Sequence, residues 1–326
     1  MLPLSNYFGK GLFAFFLTLM MVSCAEMDES ATPMLESNLK TIPEVLKTME
    51  KGDSEQDLNA RKSAGNTYAT FNAALGKSGL ASVFSRNDLT VFAPNDAAFA
   101  ELGLNPGNIG SVPELTDILL YHVVSGSVYS TDLMEGFVPT LNGAGIEISL
   151  ASGPMVNDAN IVLVDKKARN GVIHGIDAVL LPPMQNIMEL VDGLADFSIL
   201  RTAIDAAGLR DAVAMTKDIT VFAPTNDAFA ALLVELGYAD LNALVGDIGL
   251  DGLTKVLTYH VFAGGRVYSS DLMDGDITMF SGDMLTIDTS GPKLIDEDGR
   301  MSMIIQTDIQ ATNGVVHVID TVILPN

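Results

Sequence analysis

Apolar and polar positions follow one pattern along this chain, and the pattern occurs twice. An apolar run at Leu89–Ala93 is closed by a proline, and the same arrangement returns at Ile219–Ala223. Each run predicts a strand that stops at the proline and is followed by the start of a helix. Asn95 or Asp96 can cap the first of these helices, and Thr225–Asp227 provides the same cap in the second copy.

Each copy next contains apolar residues at i, i+3, i+4, i+7 and i+8, which predicts an amphipathic helix. The apolar stripe includes one histidine, His122 in the first copy and His260 in the second. Both imidazoles are therefore expected to face the core with one hydrogen-bond partner. Tyr121 and Tyr259 lie one position off the stripe, so we expect their edges to reach solvent.

The last repeated block predicts a β-hairpin. An Asn-Gly pair, which favours a type I′ turn, begins at Asn170 and again at Asn313. The strand that follows is apolar on both faces, so it is expected to be central and covered on both sides. His174 and His317 lie on this strand and are predicted to be interior. All four histidines are thus expected to form a structural polar core rather than a metal site.

The ordered repeat predicts two domains, at residues 39–182 and 186–326. The period is near 140 residues, which is long enough for each copy to have its own core. Only three residues separate the copies, so the domains should touch and move little independently. A polar segment at residues 51–66 is specific to the first copy and is expected to be a surface insertion.

The amino terminus predicts export. Lys10 precedes an apolar stretch of 12 residues, Gly11–Val22, which is too short to cross a membrane as a helix. The segment Met21–Cys24 resembles the cleavage motif of bacterial lipoproteins, which predicts a signal peptide at residues 1–23 and lipidation of Cys24. Residues 24–38 would then form a lipidated tether. The alternative is ordinary signal cleavage with an incidental cysteine.

Composition restricts the partners. The chain has 41 acidic and 18 basic residues and a formal net charge of −23, which repels nucleic-acid phosphates and anionic lipid surfaces. Familiar metal, nucleotide and hydrolase motifs do not occur in the sequence, so no catalytic residue, metal or cofactor is predicted. The acidic turn Asp296–Arg300 lacks the spacing of a calcium loop and is expected to be a solvated hairpin tip.

Together, the repeated blocks resemble the fasciclin-like domain, FAS1. The family's first motif is similar to Thr220–Phe229, its second is similar to Asn313–Asp320, and a Tyr-His pair lies between them. The resemblance covers both copies and implies an α+β fold, with two tandem domains that each contain a twisted β-sandwich or wedge flanked by helices. It also implies extracellular adhesion without catalysis or a cofactor.

The resemblance also suggests partner-binding positions. Animal members of the family are linked to integrin binding through the Tyr-His segment, here Tyr121 and Tyr259, and through an Asp-Ile pair, here Asp308 and Ile309. The first copy has Lys166 in place of that isoleucine, so any such site is expected in the second domain. Only the surface is carried over, because an integrin is not an expected partner of a bacterial lipoprotein.

The resulting hypothesis is a non-enzymatic adhesion or ligand-binding lipoprotein of the cell envelope. Its partner would be an extracellular protein or glycan. Its only membrane contact would be the lipid that anchors it to the outer membrane. Both display at the cell surface and retention beneath it are compatible with this hypothesis. The alternatives are a polysaccharide-binding or scaffold subunit of an envelope complex and, third, an enzyme.

Overall fold

The computed structural model describes residues 39–50 and 67–326. The predicted signal peptide, Cys24, the tether up to residue 38 and the first-copy insertion at residues 51–66 lie outside these residues. Residues 39–326 form a compact unit that contains both copies of the repeat.

Over the described residues, the first domain consists of five α-helices, a short 3-10 helix at Ile109–Ser111 and seven strands. The helices are α1 Ile42–Met49, α2 Ala69–Ser78, α3 Ala81–Arg86, α4 Asp96–Glu101 and α5 Leu115–Tyr121. The strands are β1 Leu89–Pro94, β2 Val123–Ser125, β3 Gly136–Pro139, β4 Gly145–Ser149, β5 Met155–Val156, β6 Ala159–Ala168 and β7 Gly171–Ile176.

The second domain repeats this order. Its helices are α6 Ile187–Gly193, α7 Ser198–Ala206, α8 Arg210–Met215, α9 Asn226–Leu236 and α10 Leu241–Tyr259, the last interrupted at Gly249. Its strands are β8 Ile219–Pro224, β9 Val261–Phe262, β10 Gly275–Thr278, β11 Met284–Asp288, β12 Lys293–Ile295, β13 Met301–Ala311 and β14 Gly314–Ile319.

Each domain has a mixed seven-stranded sheet, and the two sheets have the same topology. The strand order is β2-β1-β7-β6-β5-β4-β3 in the first domain, and β9-β8-β14-β13-β12-β11-β10 in the second. The central strands β7 and β14 are buried along their whole length and pair in parallel with β1 and β8. The expectation of a central strand that is covered on both faces is confirmed.

The sheet curls over itself in each domain. In the first domain Phe92 of β1 and Ile146 of β4 belong to one apolar cluster, although three strands separate them in the sheet. A second cluster packs the helices against the opposite face and includes Leu46, Phe71 and Phe84. Two cores on the two sides of one bent sheet fit the predicted wedge, and the α+β class with tandem domains is confirmed.

Local capping explains why each helix begins where it does after the repeated strand. Asn95 accepts a hydrogen bond from Ala98 N at 2.8 Å, and Thr225 accepts one from Ala228 N at 3.2 Å. The next residue reaches a different helix, because Asp96 accepts from Thr70 N and Asn226 accepts from Ile199 N. The predicted caps are confirmed in both copies, despite the different residues at these positions.

The predicted hairpins form, but the predicted turn is wrong. Ala168 pairs with Gly171, and Ala311 pairs with Gly314, so each glycine is the first residue of its strand rather than part of the turn. No non-glycine residue of either loop has the positive φ that a type I′ turn requires. Each asparagine is instead held by its own side chain, as described below.

Candidate functional site

The histidines near the helix ends join two distant parts of each domain. Helix α5 ends at Tyr121, one residue before His122, whose Nδ1 donates to the Ile118 carbonyl at 2.8 Å and whose Nε2 accepts from Leu180 N at 2.9 Å. His260 makes the equivalent bonds to Val256 O and Ile323 N, at 2.8 and 3.3 Å. Burial lowers the pKa of each ring to about 4, so both are neutral.

The strand histidines are also fully engaged. His174 Nε2 donates to Val128 O at 2.9 Å, and its Nδ1 accepts from Asp165 N at 3.3 Å. His317 repeats this arrangement with Val267 O and Asp308 N, at 2.8 and 3.4 Å. Burial lowers the pKa of both rings. Because every ring nitrogen of the four histidines has a backbone partner, these imidazoles are placed as structural cross-links.

The two tyrosines of the Tyr-His pairs are buried, and the expected exposure of their edges is wrong. Tyr121 is 2% exposed and Tyr259 is 0% exposed. The reason is that each helix ends at its tyrosine, so the ring enters the core between the helix and the curled sheet. The Tyr121 hydroxyl donates to Gly145 O at 2.9 Å, and the Tyr259 hydroxyl donates to Met284 O.

Asp308 lies at a bend of strand β13 and holds a neighbouring loop. Its φ is +62°, and the register of β13 against β14 shifts between Gln306 and Ile309. The carboxylate accepts hydrogen bonds from Ser269 N, at 2.8 Å, and from Ser269 Oγ. Ile309 is half-buried and packs against the helical core of the second domain.

The first domain has the same clamp. Asp165, with a φ of +57°, accepts from Ser130 N at 2.8 Å and from Ser130 Oγ. These hydrogen bonds help to lower the pKa of the Asp165 carboxyl against the opposing effect of desolvation. Because the clamp occurs in both copies, the geometry of Asp308 is explained by loop anchoring. A partner-binding role for Asp308 and Ile309 stays a prediction.

The domains meet at a junction that the sequence did not reveal. Tyr268 stacks on Phe137 with ring centroids 4.3 Å apart, and Ser270 Oγ accepts from Phe137 N at 3.3 Å. Gly145 N donates to the Tyr268 hydroxyl at 2.7 Å and to Gln310 Oε1 at 3.0 Å. The expected contact between domains is therefore present, and residues from the second domain hold the β3–β4 hairpin of the first.

The acidic turn is more deeply placed than expected. Asp296 is buried, and its carboxylate accepts from Arg300 N at 2.8 Å and from Leu324 N at 3.0 Å. The predicted solvated tip is wrong for this residue, because its carboxylate satisfies the backbone of the turn and of the carboxyl-terminal segment. Within residues 39–50 and 67–326 no three His, Cys, Asp or Glu side chains are grouped as a metal ion would require.

One sheet surface of the second domain is apolar and open to solvent. Met301, Met303 and Ile305 alternate along β13 and so lie on one face of the strand. Their exposed fractions are 62%, 40% and 56%. We call these three residues the β13 stripe. The hairpin pairing shows that their counterparts in the first domain include Asn160 at the position of Met303.

A family model for the fasciclin domain matches residues 66–182 and 195–325, which together make up well over half of the chain. The chain belongs to the fasciclin domain family. Both FAS1 matches fall on the repeated sheets described above. The helix α6, which precedes the second match, is tied to that domain by a hydrogen bond from Ile187 N to Asn313 Oδ1 at 2.9 Å.

Relatives of this FAS1 protein occur in animals and bacteria. The pig transforming growth factor-beta-induced protein ig-h3 is 32% identical over 254 residues, which cover 76% of this chain and 35% of the pig protein. This chain therefore spans about a third of that relative's length. Protein sll1483 of Synechocystis is 38% identical over 143 residues, covering 43% of this chain and 73% of that protein.

A solved FAS1 domain pair from the insect cell adhesion molecule fasciclin I aligns with 78% of this chain and 95% of that chain, at a TM-score of 0.39 and 18% identity.

Within the described residues no single helix is long and apolar enough to cross a membrane. Among the helices in the described part of the chain, only the pair α9 and α10 passes that test together, across a bend of 85°.

Proposed function

We propose that this FAS1 protein is a non-enzymatic adhesion protein of the cell envelope, which binds an extracellular protein through the outer face of its second domain. The lipid at Cys24 would hold it on the outer membrane. Family membership supports an adhesive role, and the engagement of all four histidines by backbone groups leaves those side chains no part in acid–base chemistry.

The β13 stripe is the observation that carries this proposal. A chain with a net charge of −23 has many polar residues for its surface, yet three large apolar side chains are exposed in a row on one strand. Exposed apolar patches on soluble domains mark interaction sites. The corresponding positions of the first domain are Asp158, Asn160 and Val162, so the two copies present different surfaces.

The negative net charge of the chain favours a partner whose surface is neutral or basic. Repulsion disfavours nucleic acid and anionic lipid surfaces, whereas a protein with an apolar patch inside a neutral or basic rim would be attracted. The buried tyrosines Tyr121 and Tyr259 would influence such binding only through the position of the groups they support.

Adhesion of cells that express the full chain tests the proposal. The triple variant Met301→Ser/Met303→Ser/Ile305→Thr should lose most of the binding to an immobilised extracellular matrix preparation, because apolar burial at the interface is removed. Val162→Thr in the first domain is the matched control for Ile305→Thr and should bind as the wild type. Full binding by the triple variant would refute the β13 stripe as the adhesive surface.

Three further measurements separate the remaining possibilities. An Asp308→Ala/Ile309→Ala variant tests the motif-based site, and unchanged adhesion would remove it. Selective sugar binding on a glycan array would favour the polysaccharide-binding alternative over protein adhesion. A Cys24→Ser variant should appear in the soluble fraction, whereas unchanged membrane association would contradict the lipid anchor.

A further inference from the structure

A small cavity lies in the helical half of the second domain, and the proposed adhesive surface does not include it. It has a volume of about 100 Å³ and lies among α6, α7, α8 and strand β8. Its lining is almost entirely apolar and includes Ile187, Leu200, Ile204 and Val213. The exposed ring of Phe280 stands at its edge.

In the first domain the equivalent space is filled by two aromatic rings. Asn170 Nδ2 donates to Phe84 O, whereas Asn313 Nδ2 donates to Val213 O, which identifies Phe84 and Val213 as counterparts. The same comparison, through the bonds to Asp96 and Asn226, makes Phe71 the counterpart of Leu200.

Both phenylalanines are fully buried, and their ring centroids are 6.5 Å apart. Phe71 also meets His122 edge-on at 6.1 Å. Replacing these two rings by Leu200 and Val213 removes core volume, and the cavity lies where that volume is missing.

The helix that covers the cavity is held by polar contacts. Helix α8 has no fully buried side chain, whereas its counterpart α3 buries Phe84. Arg210 at its start pairs with Asp192 and with Asp205, each at 2.7 Å. The apolar residues of α8, Val213 and Ala214, are only half-buried against the core. Because its ion pairs are on the surface and contribute little, an outward shift of α8 costs less apolar contact than the same shift of α3 would. The cavity therefore has a cover that a ligand can displace.

Phe280 adds an apolar path from the mouth of the cavity to solvent. It is 63% exposed, and its N–H donates to Val261 O at 2.7 Å. Leu141 makes the same backbone bond to Val123 O in the first domain, where its side chain is half-buried against the core. The second domain thus has the larger and more exposed apolar residue at this position.

We propose that this cavity binds the hydrocarbon tail of an uncharged single-chain amphiphile. The polar lining groups are Thr216, Thr258 and His260, and both nitrogens of His260 already have backbone partners. A volume of about 100 Å³ is below the roughly 150 Å³ of a cavity that accepts benzene, so a linear chain entering end-on fits better than a ring. The net charge of −23 disfavours an anionic head group.

The sequence contains no tryptophan, so Phe280→Trp in the full chain gives a single fluorescent reporter at the mouth. Octanol should change its emission saturably, and at lower concentration than cyclohexanol. Adding Val213→Phe restores the aromatic residue of the first domain, and the apparent Kd for octanol should weaken by about tenfold or more. Val234→Phe, on an exposed position of α9, is the matched control and should leave the Kd unchanged.

Equal responses to octanol and cyclohexanol, or retained octanol binding in the Val213→Phe reporter, would overturn the proposal. Leu200→Phe is a second filling variant, in case Val213→Phe does not fold. Methyl resonances of Ile187 and Ile204 in the chain without the reporter provide an independent readout, and they should shift with octanol in the wild type only. These outcomes do not depend on adhesion, so failure of one proposal leaves the other standing.

Discussion

Gln310 of the second domain and Gly145 of the first are joined by a pair of hydrogen bonds. Gly145 N donates to Gln310 Oε1 at 3.0 Å, and Gln310 Nε2 donates to Gly145 O at 2.9 Å. The amide side chain therefore completes the edge of a hairpin that belongs to the other domain. At the equivalent corner of the first domain, Lys167 lies 5.4 Å from the centre of the Tyr129 ring. Tyr268 and Gln310 therefore contact the other domain, whereas their counterparts Tyr129 and Lys167 contact each other.

We expect Gly145→Ala to uncouple the domains. A Cβ at this position would lie 2.7 Å from Cζ and the hydroxyl oxygen of Tyr268, so the ring must move and its hydrogen bond is lost. The loss should lower the free energy of docking by about 2 kcal/mol and split a single calorimetric unfolding transition into two.

The matched control is Gly246→Ala, where an added Cβ meets nothing within 4 Å. That variant should unfold with the wild-type number of transitions. A single unchanged transition in Gly145→Ala would show that the junction does not depend on close approach at this glycine.

Asn313→Ala should be among the most destabilising polar substitutions of the second domain. The Asn313 side chain accepts from Ile187 N at 2.9 Å and donates to Val213 O and Thr216 O at 2.8 and 2.9 Å. Removal of this buried amide leaves three backbone groups without their partner, at a cost of about 3 kcal/mol in the free energy of unfolding. Urea denaturation measures this cost.

Asn170→Ala is the matched substitution in the first domain, because Asn170 makes the equivalent three bonds to Ile42 N, Phe84 O and Asn87 O. A similar cost is expected there. If either variant were as stable as the wild type, the asparagines would not hold the helices to the hairpin.

Asp308→Ala should destabilise the second domain by about 2 kcal/mol, because the variant loses two hydrogen bonds to Ser269 and keeps a backbone with positive φ. Asp308→Asn should cost less, since asparagine tolerates this φ and retains an acceptor oxygen. Thermal denaturation of both variants, with Asp165→Ala as the counterpart, tests the clamp. Equal stability of the alanine and asparagine variants would contradict it.

The free energy of unfolding should fall as the pH drops from about 6.5 towards 4. In the folded protein the pKa of His122 and of His260 is about 4, whereas an unfolded chain protonates each near its ordinary value of 6.5. The unfolded state therefore binds more protons in this window, and stability decreases by about 1.4 kcal/mol per pH unit for each histidine. Above pH 6.5 this contribution is constant.

Urea titrations at several pH values compare the wild type with His122→Gln, which does not titrate but can still donate to Ile118 O. The variant should show a shallower dependence on pH in this window by about the contribution of one histidine. An identical slope would mean that His122 protonates in the folded state at its ordinary pKa.

The repeat, the strand-to-helix cap and the central strand were accessible from the sequence because they depend on local spacing. The periodic stripe predicts that His122 is interior, because such a stripe identifies the buried face of a helix, and the side chain is buried. Periodicity predicts the position of Tyr121 wrongly, because it assumes that the helix continues, whereas the helix ends at this residue. The Asn-Gly pair predicts the wrong turn, because Asn313 is fixed by contacts with α6 and α8, which are distant in sequence.

Neither the junction nor the cavity can be predicted from the sequence of one copy alone. The junction requires contact between the two domains, and the cavity becomes apparent only when matched core positions of the two copies are compared. Gln310 and Tyr268 have no motif that distinguishes them from surface residues, and their role arises only when the second domain meets Gly145. The sequence does contain a sign of the cavity, because Phe84 and Val213 occupy matched positions of the repeat and differ in side-chain volume. A change in side-chain volume between copies becomes meaningful once both positions are known to be in the core.

The bond from the Tyr121 hydroxyl to Gly145 O has a consequence for how variants of the Tyr-His pair are interpreted. Tyr121 of the first domain and Gln310 of the second domain both donate hydrogen bonds to the same acceptor, the Gly145 carbonyl. A substitution at Tyr121 would weaken the support of this peptide group and so alter how the second domain docks against the first. Weaker adhesion by such a variant would then result from changed docking of the two domains. It would not show that a ligand contacts the buried ring of Tyr121.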